Sequence, residues 1–353
     1  MRPVIVGGGP GGAAAAIALA RGGARPLLLE RDAVVTEKVC GEFLAADAAQ
    51  RLGSLGLDMA ALGAVPIHRA IFAAGPSQAE MRLPFPAWGL PRATLDATLL
   101  DMARTAGAEV MLGTSVRGAA QHGNLWQVRL AGGETIETPN LILATGKHEL
   151  RGLQRSAKGG AIGVKLPLTG DVPGGAILLL ICAGGYAGLQ PRPGGGANLC
   201  AALDPHAPGV AEAARSAHAF IAHVARGSAL AAHVLSGLTP SIPRPLTIGG
   251  VPYGHVERGG NSFRVGDQAS VIPSFCGDGV AMALASGEAA GQAVLGGAMP
   301  YTYQNEWALR VRGGMRLARL VSVLTARIPR MLVASVALAP TVAGWTARRT
   351  RLG

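Results

Sequence analysis

The sequence predicts an α/β fold with an inserted antiparallel sheet in its middle part and a helical segment at its C-terminal end. Three observations predict it. Near its start the chain has two short apolar runs on either side of an alanine-rich stretch (VIVGGGPGGAAAAIALARGGARPLLLERD). Apolar runs of strand length follow one another between residues 158 and 205, and residues 301–353 mix aliphatic residues with arginines. At 353 residues the chain is long enough for one large domain or two closely joined ones.

The first part of this fold is a unit of strand, glycine turn, helix and strand. Val4–Val6 and the PLLL run are predicted to be strands buried on both faces, and the alanine-rich stretch between them a helix that ends in glycine. GGGPGG, between the first strand and the helix, fits the GxGxxG pattern at Gly7, Gly9 and Gly12. This order predicts a Rossmann-like βαβ unit that binds a dinucleotide.

Each residue of the pattern has a physical task. Gly7 permits the tight turn, Gly9 leaves room for a pyrophosphate against the backbone, and Gly12 lets the helix lie close to the strand. The phosphates are expected at the helix N-terminus, where free N–H groups and the helix dipole favour negative charge. Glu30 ends the second strand and is expected to accept hydrogen bonds from both hydroxyls of a ribose, which favours FAD or NAD over NADP. The neighbouring candidates for cofactor contact are Gly11 and Arg31.

The far end of the chain carries the motif that distinguishes FAD from NAD. A short predicted strand, Phe263–Val265, leads into Gly266-Asp267 and then through a glycine-containing loop into a helix of small residues. Between the two ends lie LPRATLDATLLDMARTAGAEVMLGTSV and the ATG of NLILATGK. In these four motifs the sequence resembles the FAD-dependent oxidoreductases of the glutathione-reductase type, and most closely the branch of aromatic hydroxylases, geranylgeranyl reductases and flavin halogenases.

The resemblance implies roles for individual residues. Asp267 would bind the ribityl chain of FAD, Pro273 would pack beside the isoalloxazine, and Arg92 would reach the phosphates or the ribityl chain. The alternative for Arg92 is a solvated arginine on a surface helix. The final helix would point its N-terminus at the flavin carbonyl, where a reduced flavin gathers negative charge. The other FAD contacts that the resemblance implies are Thr145, Gly146, Gly277, Gly279 and Val280.

The sequence departs from the hydroxylases in the motif that serves their direct use of NADPH. The aspartate of their DG motif, which serves both FAD and NAD(P)H, is absent from ATGKHELRG. One dinucleotide-binding pattern is found, because GGYAG at residues 184–188 continues into LQPRPGGG and not into a helix. Electrons are therefore expected from transient NAD(P)H or from a separate reductase. The WxWxIP motif of the halogenases is also absent, which argues against halogenation.

Two further segments bear on the reaction. KVCGEFLAADA resembles the CGE segment of geranylgeranyl reductases, and GGYAGLQP resembles the strand that lines their substrate cavity. Cys40 is then a candidate proton donor near the isoalloxazine, with Gly41 beside FAD; the alternative for Cys40 is a small buried hydrophobic side chain. Gly185, Tyr186 and Trp88 are candidates for the substrate pocket, whose apolar composition implies a hydrophobic small molecule.

The leading hypothesis is an FAD-dependent monooxygenase of secondary metabolism that hydroxylates a hydrophobic aromatic or polyketide-like molecule through a flavin C4a-hydroperoxide. The alternative is a flavin-dependent reductase that saturates isoprenoid or polyene double bonds, with Cys40 or water giving the proton. A third possibility is a membrane-associated flavoprotein that carries electrons or a lipid. The cysteines and histidines lack metal-ligand spacing, so no metal is expected.

The C-terminal segment carries most of the net charge of +11, because residues 301–353 contain nine arginines and one acid, Glu306. The aliphatic residues between the arginines favour an anionic membrane surface over nucleic acid; the alternative is an amphipathic helix packed on the substrate domain. We expect a cytoplasmic protein, peripheral at the inner face of the membrane if this segment binds lipid, and the oligomeric state stays open. The predicted division of the chain is an FAD-binding domain of residues 1–66, 90–150 and 250–300, a substrate domain of residues 67–89 and 151–249, and basic amphipathic helices over residues 301–353.

Overall fold

The computed structural model describes residues 1–155 and 160–349. These residues form three β-sheets and ten α-helices. One sheet is parallel, a second and larger sheet is almost wholly antiparallel, and helices follow both at the C-terminal end. This architecture confirms the predicted fold class.

A five-stranded parallel sheet contains the first strand of the chain. Its alternate residues face different layers: Ile5 and Leu28 pack against helices, whereas Val4 and Val6 pack against a small antiparallel sheet. Both faces are therefore covered, which explains the uninterrupted apolar runs. In spatial order the strands are β17 (Phe263–Arg264), β10 (Leu141–Leu143), β1 (Val4–Val6), β2 (Leu27–Leu29) and β6 (Glu109–Met111). The covering sheet consists of β7 (Val116–His122), β8 (Leu125–Leu130) and β9 (Thr135–Thr138).

Helices cover the other face of the parallel sheet, and two of them pack unusually close together because their contact is made of small residues. A Cβ added to Gly287 would lie 2.1 Å from the carbonyl oxygen of Gly11, and one added to Gly291 would lie 2.7 Å from Ala18 Cβ. The first and last parts of the chain are thus joined through backbone contact. The helices of this part are α1 (Pro10–Arg21), α2 (Ala46–Leu55), α3 (Arg92–Thr105) and α7 (Gly279–Leu295).

A nine-stranded sheet forms the second body of the fold. Eight strands follow in the spatial order β15 (Thr239–Pro240), β11 (Ala161–Thr169), β14 (Ala197–Leu203), β13 (Gly185–Pro191), β12 (Ala176–Cys182), β4 (Val65–Ala74), β5 (Ser77–Gly89) and β3 (Phe43–Leu44), and β16 (Leu246–Val251) pairs with β11. All these pairs are antiparallel except β12 with β4.

The two faces of the nine-stranded sheet have different neighbours. Leu178 and Leu180 point to one face, where they pack with three short helices, α4 (Val210–Ala213), α5 (Ala217–Ala225) and α6 (Ala229–Ser236). Ile177, Leu179 and Ile181 alternate with them and point to the opposite face. The C-terminal helices cover that second face.

Three C-terminal helices, α8 (Pro300–Arg327), α9 (Pro329–Leu338) and α10 (Pro340–Arg349), close the fold, and each begins with proline at its first position. Val311 and Met315 of α8 pack against α7 and the segment before it, whereas Val333 and Val336 of α9 pack against β4 and β5. The C-terminal helices therefore bridge the two bodies and cover the second face of the nine-stranded sheet.

Within the described ranges, each helix taken singly is too short or too polar to cross a bilayer; α8 and α9 meet the length and hydropathy criteria only as a pair, and they are bent by 114° at their junction.

The close contact of α1 and α7 gives a matched test. We expect Gly287→Ala to lower the free energy of unfolding by about 1–3 kcal/mol, because its methyl group has no space beside Gly11. Gly313→Ala, in the interior of α8, should raise stability by about 0.5–1 kcal/mol, because a Cβ there meets no atom within 4 Å and alanine favours a helix. Urea unfolding followed by circular dichroism measures both changes. Equal effects of the two substitutions on stability would contradict the close contact of α1 and α7 at Gly287.

Candidate functional site

A cavity of about 1110 Å³ lies between the two larger sheets and the C-terminal helices. One end is bordered by the glycine turn after β1, the loop after β10 and the start of α7. The other end is bordered by the second face of the nine-stranded sheet and by α8, α9 and α10. The cavity is continuous, so both ends belong to one site.

The glycine turn has the geometry that the sequence pattern predicts. Gly7 has a φ of +111°, and a Cβ on it would lie 2.3 Å from the carbonyl oxygen of Ala144. A Cβ on Gly12 would lie 2.0 Å from the carbonyl oxygen of Gly7, so glycine is needed where the helix touches the strand end. Helix α1 begins at Pro10 after Gly9, and no side chain caps its first N–H groups. These groups point towards the cavity end and can receive an anion.

Glu30 stands beside this turn. Its Oε2 accepts a hydrogen bond from Gly8 N at 2.6 Å, and its Oε1 accepts one from Asp32 N at 3.1 Å. The carboxylate is therefore held at the edge of the cavity, where a ribose would meet it. The neighbouring Arg31 is half-exposed and its Nη2 lies 2.9 Å from Nε2 of His148, across the cavity edge.

Arg92 is the first residue of α3 and lies against the glycine turn. Its Nη2 would be 3.6 Å from a Cβ on Gly9, and its Nε and Nη2 donate to the two carboxylate oxygens of Asp96 at 2.9 and 2.8 Å. Burial opposes the charge, but the buried Asp96 carboxylate outweighs it and raises the pKa of Arg92 above its usual value. Arg92 is thus a fixed cation at the cavity and not a solvated surface arginine.

The loop after β10 is tied to the Gly266-Asp267 turn at the same end. Lys147 Nζ lies 2.9 Å from Asp267 Oδ2, and this carboxylate raises the pKa of Lys147. Arg155 donates to the carbonyl oxygens of Asp267 and Lys147, at 2.6 and 3.1 Å. Gln268 donates to the carbonyl oxygen of Gly146 at 2.9 Å. Sequence reasoning missed Lys147 and Arg155, although a cation directly after the ATG motif was a visible signal.

These residues fit FAD. The helix N-termini at Gly9 and Gly279 supply N–H groups for anionic parts of the molecule, and Arg92 supplies a cation beside Gly9. A Cβ on Gly41 or on Gly279 would meet no protein atom within 4 Å, although both residues border the cavity. The glycines therefore leave open the space that a flat ring system needs. Glu30 and Asp267 border the same cavity and could accept hydrogen bonds from the hydroxyl groups of FAD.

The Cys40–Glu42 loop crosses the middle of the cavity. Asn198 Nδ2 donates to the carbonyl oxygens of Cys40 and Gly41, at 3.1 and 2.9 Å, and so fixes the loop to β14. Glu42 N donates to Cys40 Sγ at 3.3 Å. Glu42 has a φ of +62°, which is strained for a residue with a side chain, and its side chain is almost fully buried. Strain of this kind requires strong side-chain contacts to hold it.

A cluster of four charged residues supplies those contacts, and we call it the charge cluster: Glu37, Glu42, Lys165 and Arg192. The Lys165 ammonium is fully buried, 2.5 Å from Glu42 Oε1, and also contacts Glu37. Arg192 Nη2 lies 2.5 Å from Glu37 Oε1, and its Nε lies 3.5 Å from Glu42 Oε2. Two cations thus balance two carboxylates.

The pKa shifts follow from this balance. Burial alone would lower the pKa of Lys165, but the two carboxylates outweigh burial and raise it, so that Lys165 is charged. The pKa of Glu37 is lowered because Lys165 and Arg192 outweigh burial, whereas burial prevails at Glu42 and raises its pKa. Sequence reasoning missed Lys165 and Arg192; a single lysine within the apolar run AIGVKLPL was the one signal.

The far end of the cavity is apolar on both sides. Its floor is the second face of the nine-stranded sheet, formed by Ala70, Phe72, Met81, Leu83, Phe85, Ile177, Leu179 and Ile181. Its roof comes from the C-terminal helices through Leu317, Leu320, Val321, Leu324, Leu332, Val333, Val336, Ala339, Val342 and Ala343. Tyr186 of β13 and Phe275 of the loop before α7 meet edge to face at 6.1 Å where the two ends join.

The structure brings most of the predicted site residues to this one cavity. Those that border it are Gly7, Gly9, Gly11, Glu30, Arg31, Cys40, Gly41, Arg92, Thr145, Gly146, Tyr186, Asp267, Gly277, Gly279 and Val280. Gly12 and Gly185 instead have packing positions, against the carbonyl oxygens of Gly7 and Ala202. Pro273 is buried beside the cavity, and its neighbours Ile272 and Ser274 border it.

Trp88, a candidate for the substrate pocket, is the exception, because it lies outside the lining of this cavity. Its side chain packs against the core between the five-stranded sheet and its helices. Side chains alternate between the two faces of a strand, and in β5 the cavity receives Met81, Leu83 and Phe85. Composition alone does not indicate which face a single aromatic residue takes.

Residues 2–148 match the family model of the FAD binding domain. The chain is 25% identical over 361 residues to menaquinone reductase of Mycolicibacterium smegmatis, and the aligned region covers 93% of this chain and 85% of that protein. It is 29% identical over 310 residues to digeranylgeranylglycerophospholipid reductase 2 of Methanopyrus kandleri, with 82% of this chain and 75% of that protein covered.

Solved structures have the same fold. The flavin-dependent brominase Bmp2 superposes with a TM-score of 0.80 at 17% identity, over 98% of this chain and 92% of that one. A geranylgeranyl bacteriochlorophyll reductase-like protein from Thermoplasma acidophilum superposes with a TM-score of 0.75 at 17% identity, over 95% of this chain and 90% of that one. The chain thus has the fold of the FAD-dependent oxidoreductases, and its residues 2–148 are matched by the FAD binding domain family.

Proposed function

We propose that this protein is an FAD-dependent reductase that saturates carbon–carbon double bonds in a long isoprenoid chain. One observation carries the proposal: the end of the cavity where FAD fits continues into a long apolar space between the nine-stranded sheet and the C-terminal helices. From the sequence, hydroxylation of an aromatic molecule ranked first and this reduction second. We now rank the reduction first, because the apolar lining of this space supports it.

The lining of this space suits a long hydrocarbon chain. The side chains of its floor and roof are aliphatic, apart from two phenylalanines, a methionine and the hydroxyl groups of Thr325, Ser335 and Thr346. Charged groups are concentrated at the other end, around the glycine turn and the charge cluster. A flexible apolar chain can fill a long aliphatic space, whereas a compact phenol would need polar partners at the position of its ring.

The names of the curated relatives support the same direction. Both are named as reductases, one of menaquinone and one of a digeranylgeranyl lipid, and a geranylgeranyl group is an isoprenoid chain. Their sequence similarity extends over most of this chain, 93% of it for the first and 82% for the second. The similarity to halogenase structures supports only the fold.

Saturating a double bond requires a hydride on one carbon and a proton on the other. FAD, when bound and reduced by NAD(P)H or by a separate reductase, would supply the hydride and return to its oxidised form. The protein's part is to hold the chain, exclude water and hold a proton close to the reacting carbon. Cys40 Sγ is suited to hold this proton, because Cys40 borders the cavity and its Sγ is held in place by a hydrogen bond from Glu42 N at 3.3 Å. Tyr186 and Phe275 border the passage to the apolar end.

Oxygen distinguishes the reductase from the monooxygenase. The purified enzyme is reduced under anaerobic conditions and mixed with an isoprenoid alcohol that carries several double bonds. We expect the flavin absorbance to return before oxygen is admitted, and the product to gain two hydrogens. The control is the fully saturated alcohol of the same length, which should leave the flavin reduced. Reoxidation only after oxygen is admitted, with oxygen found in the product, would overturn the proposal in favour of hydroxylation.

Cys40 can be tested against a second cysteine. We expect Cys40→Ala to slow anaerobic reoxidation by roughly a hundredfold while FAD stays bound, since a positioned proton donor contributes about that much. Cys182→Ala is the matched control. Cys182 lies in β12 outside the cavity lining, and burial raises its pKa to about 12. Stopped-flow absorbance measures the rates; equal rates for the two variants would remove Cys40 from the mechanism.

Lys165 is a positioning residue, because it acts on the Cys40–Glu42 loop through Glu42. We expect Lys165→Met to lower the free energy of unfolding by about 3–5 kcal/mol, since it leaves the buried Glu42 carboxylate and the partly exposed Glu37 carboxylate with one cation. The loss should be smaller at acidic pH: burial raises the pKa of Glu42, so protonation relieves its unpaired charge as pH falls. The double variant Lys165→Met/Glu42→Gln should recover part of the loss at neutral pH.

The measurement is urea unfolding at about pH 5 and about pH 8 for the single and double variants. A loss that is independent of pH, with no recovery in the double variant, would show that Lys165 acts through packing and not through its charge.

A further inference from the structure

We infer that the C-terminal helices α8, α9 and α10 dock this protein on the surface of an anionic lipid bilayer, with the mouth of the cavity turned towards the lipid. The inference goes beyond the proposed function and does not depend on which reaction occurs inside. It rests on three features of these helices: exposed apolar side chains, exposed arginines and the position of the cavity mouth.

Exposed apolar side chains are concentrated in this part of the molecule. Of the fourteen large hydrophobic side chains that are exposed in the described residues, eight lie between Leu309 and Trp345. Leu338 is 87% exposed, Met331 is 67% exposed and Trp345 is 51% exposed. Scattered single residues of this kind are ordinary on a protein surface, but a group confined to three consecutive helices marks an interaction surface.

The packing of the helices does not account for these residues. The side chains that fasten them to the rest of the protein are others: Trp307, Val311 and Met315 in α8, and Val333 and Val336 in α9. Trp307 also donates from Nε1 to Ser270 Oγ at 3.0 Å. Packing against the rest of the protein therefore explains the apolar residues on the buried side of these helices, but not those on the exposed side.

Arginines lie among the exposed apolar residues. All eight described arginines of the C-terminal helices are exposed, and Glu306 is the one acidic residue in residues 301–353. Along α8, exposed positions follow at intervals of three and four residues, so they share one face: Leu309, Arg312, Arg316, Leu320, Val323 and Arg327. In α10 the Arg349 guanidinium lies 5.4 Å from the centre of the Trp345 ring. Such a face can bury its apolar side chains among acyl chains while its arginines reach the phosphates.

The mouth of the cavity opens on this surface. Leu320 of α8 and Val342 of α10 both border the cavity, yet they are 55% and 61% exposed. A side chain that does both lies at the rim of an opening. An apolar molecule dissolved in a bilayer could therefore reach the interior without passing through water.

Charge decides between a bilayer and a second copy of this chain. A symmetric contact between two copies would place two segments of net positive charge opposite each other, which is unfavourable. An anionic bilayer instead offers negative charge to the arginines and hydrocarbon to the leucines. Each arginine near such a surface contributes about 1 kcal/mol, or roughly a fivefold change in partitioning.

Vesicle binding tests the inference on the full-length protein with FAD bound. Vesicles of phosphatidylcholine mixed with phosphatidylglycerol are sedimented with the protein, and vesicles of phosphatidylcholine alone serve for comparison. We expect binding to the anionic vesicles that weakens as salt is added. Arg316→Glu/Arg319→Glu should lower the partition coefficient at least tenfold. Leu338→Asp should lower it roughly tenfold through loss of the inserted side chain.

The matched control is Arg117→Glu/Arg129→Glu, which makes the same change of charge at two exposed arginines of the three-stranded sheet. This control should bind as the wild type does, and the flavin absorbance and melting temperature of every variant verify that it is folded. Failure of the wild type to bind, or equal losses in the control and in Arg316→Glu/Arg319→Glu, would overturn the inference. A wild-type dimer that Leu338→Asp converts to a monomer would also overturn it, because the apolar surface would then belong to a second copy.

Discussion

The structure depends on one constraint, the direct backbone contact between the glycine turn, α1 and α7. Gly12 touches the carbonyl oxygen of Gly7, and Gly287 touches that of Gly11, at distances that leave no room for a Cβ. Because of these contacts the start of the chain and the segment around residue 280 form one edge of the cavity. The N-termini of α1 and α7 consequently border the same space, where they can serve the anionic parts of one ligand.

A second constraint acts on the Cys40–Glu42 loop, which is held by hydrogen bonds and ion pairs and not by close backbone packing. The Cys40–Glu42 loop adopts a strained backbone, and it is held by Asn198 from one side and by Lys165 and Arg192 from the other. Lys165 and Arg192 each contact both Glu37 and Glu42, so removing one cation leaves the buried Glu42 carboxylate with a single cationic partner. The Cys40 thiol, the proposed proton donor, is thereby fixed at the border of the cavity.

The C-terminal helices have an inner and an outer surface of different character. Their inner residues close the apolar part of the cavity over the nine-stranded sheet, and their outer residues present arginines and aliphatic side chains to the surroundings. The sequence left two alternatives for this segment, a helix packed on the substrate domain or a membrane contact. The inner surface satisfies the first, and the second stays a proposal that the outer surface supports.

Much of the fold could be predicted from the sequence because its signals are local. The glycine pattern, the short apolar strands and the acid at the end of β2 each follow from a few neighbouring residues, and the structure has β1 and β2 where the runs predicted them. The candidate FAD contacts could be found for the same reason. The position of Trp88 outside the cavity lining could not be predicted, because the face that a side chain takes is set by pairing with distant strands. Lys147 and Arg155 were missed because their partner Asp267 is more than one hundred residues away.

By itself, then, the sequence determined the fold class and the dinucleotide-binding unit, since turns, strand burial and helix starts depend on neighbouring residues. Only the tertiary structure decided which distant residues contact one another and which segments enclose the cavity. Lys165 and Glu42 are 123 residues apart in the chain yet share a buried contact, and the roof over β4, β5 and β12 comes from the last fifty residues. The cavity is made from side chains that no local pattern relates to one another, and it exists only once both bodies and the C-terminal helices are packed together.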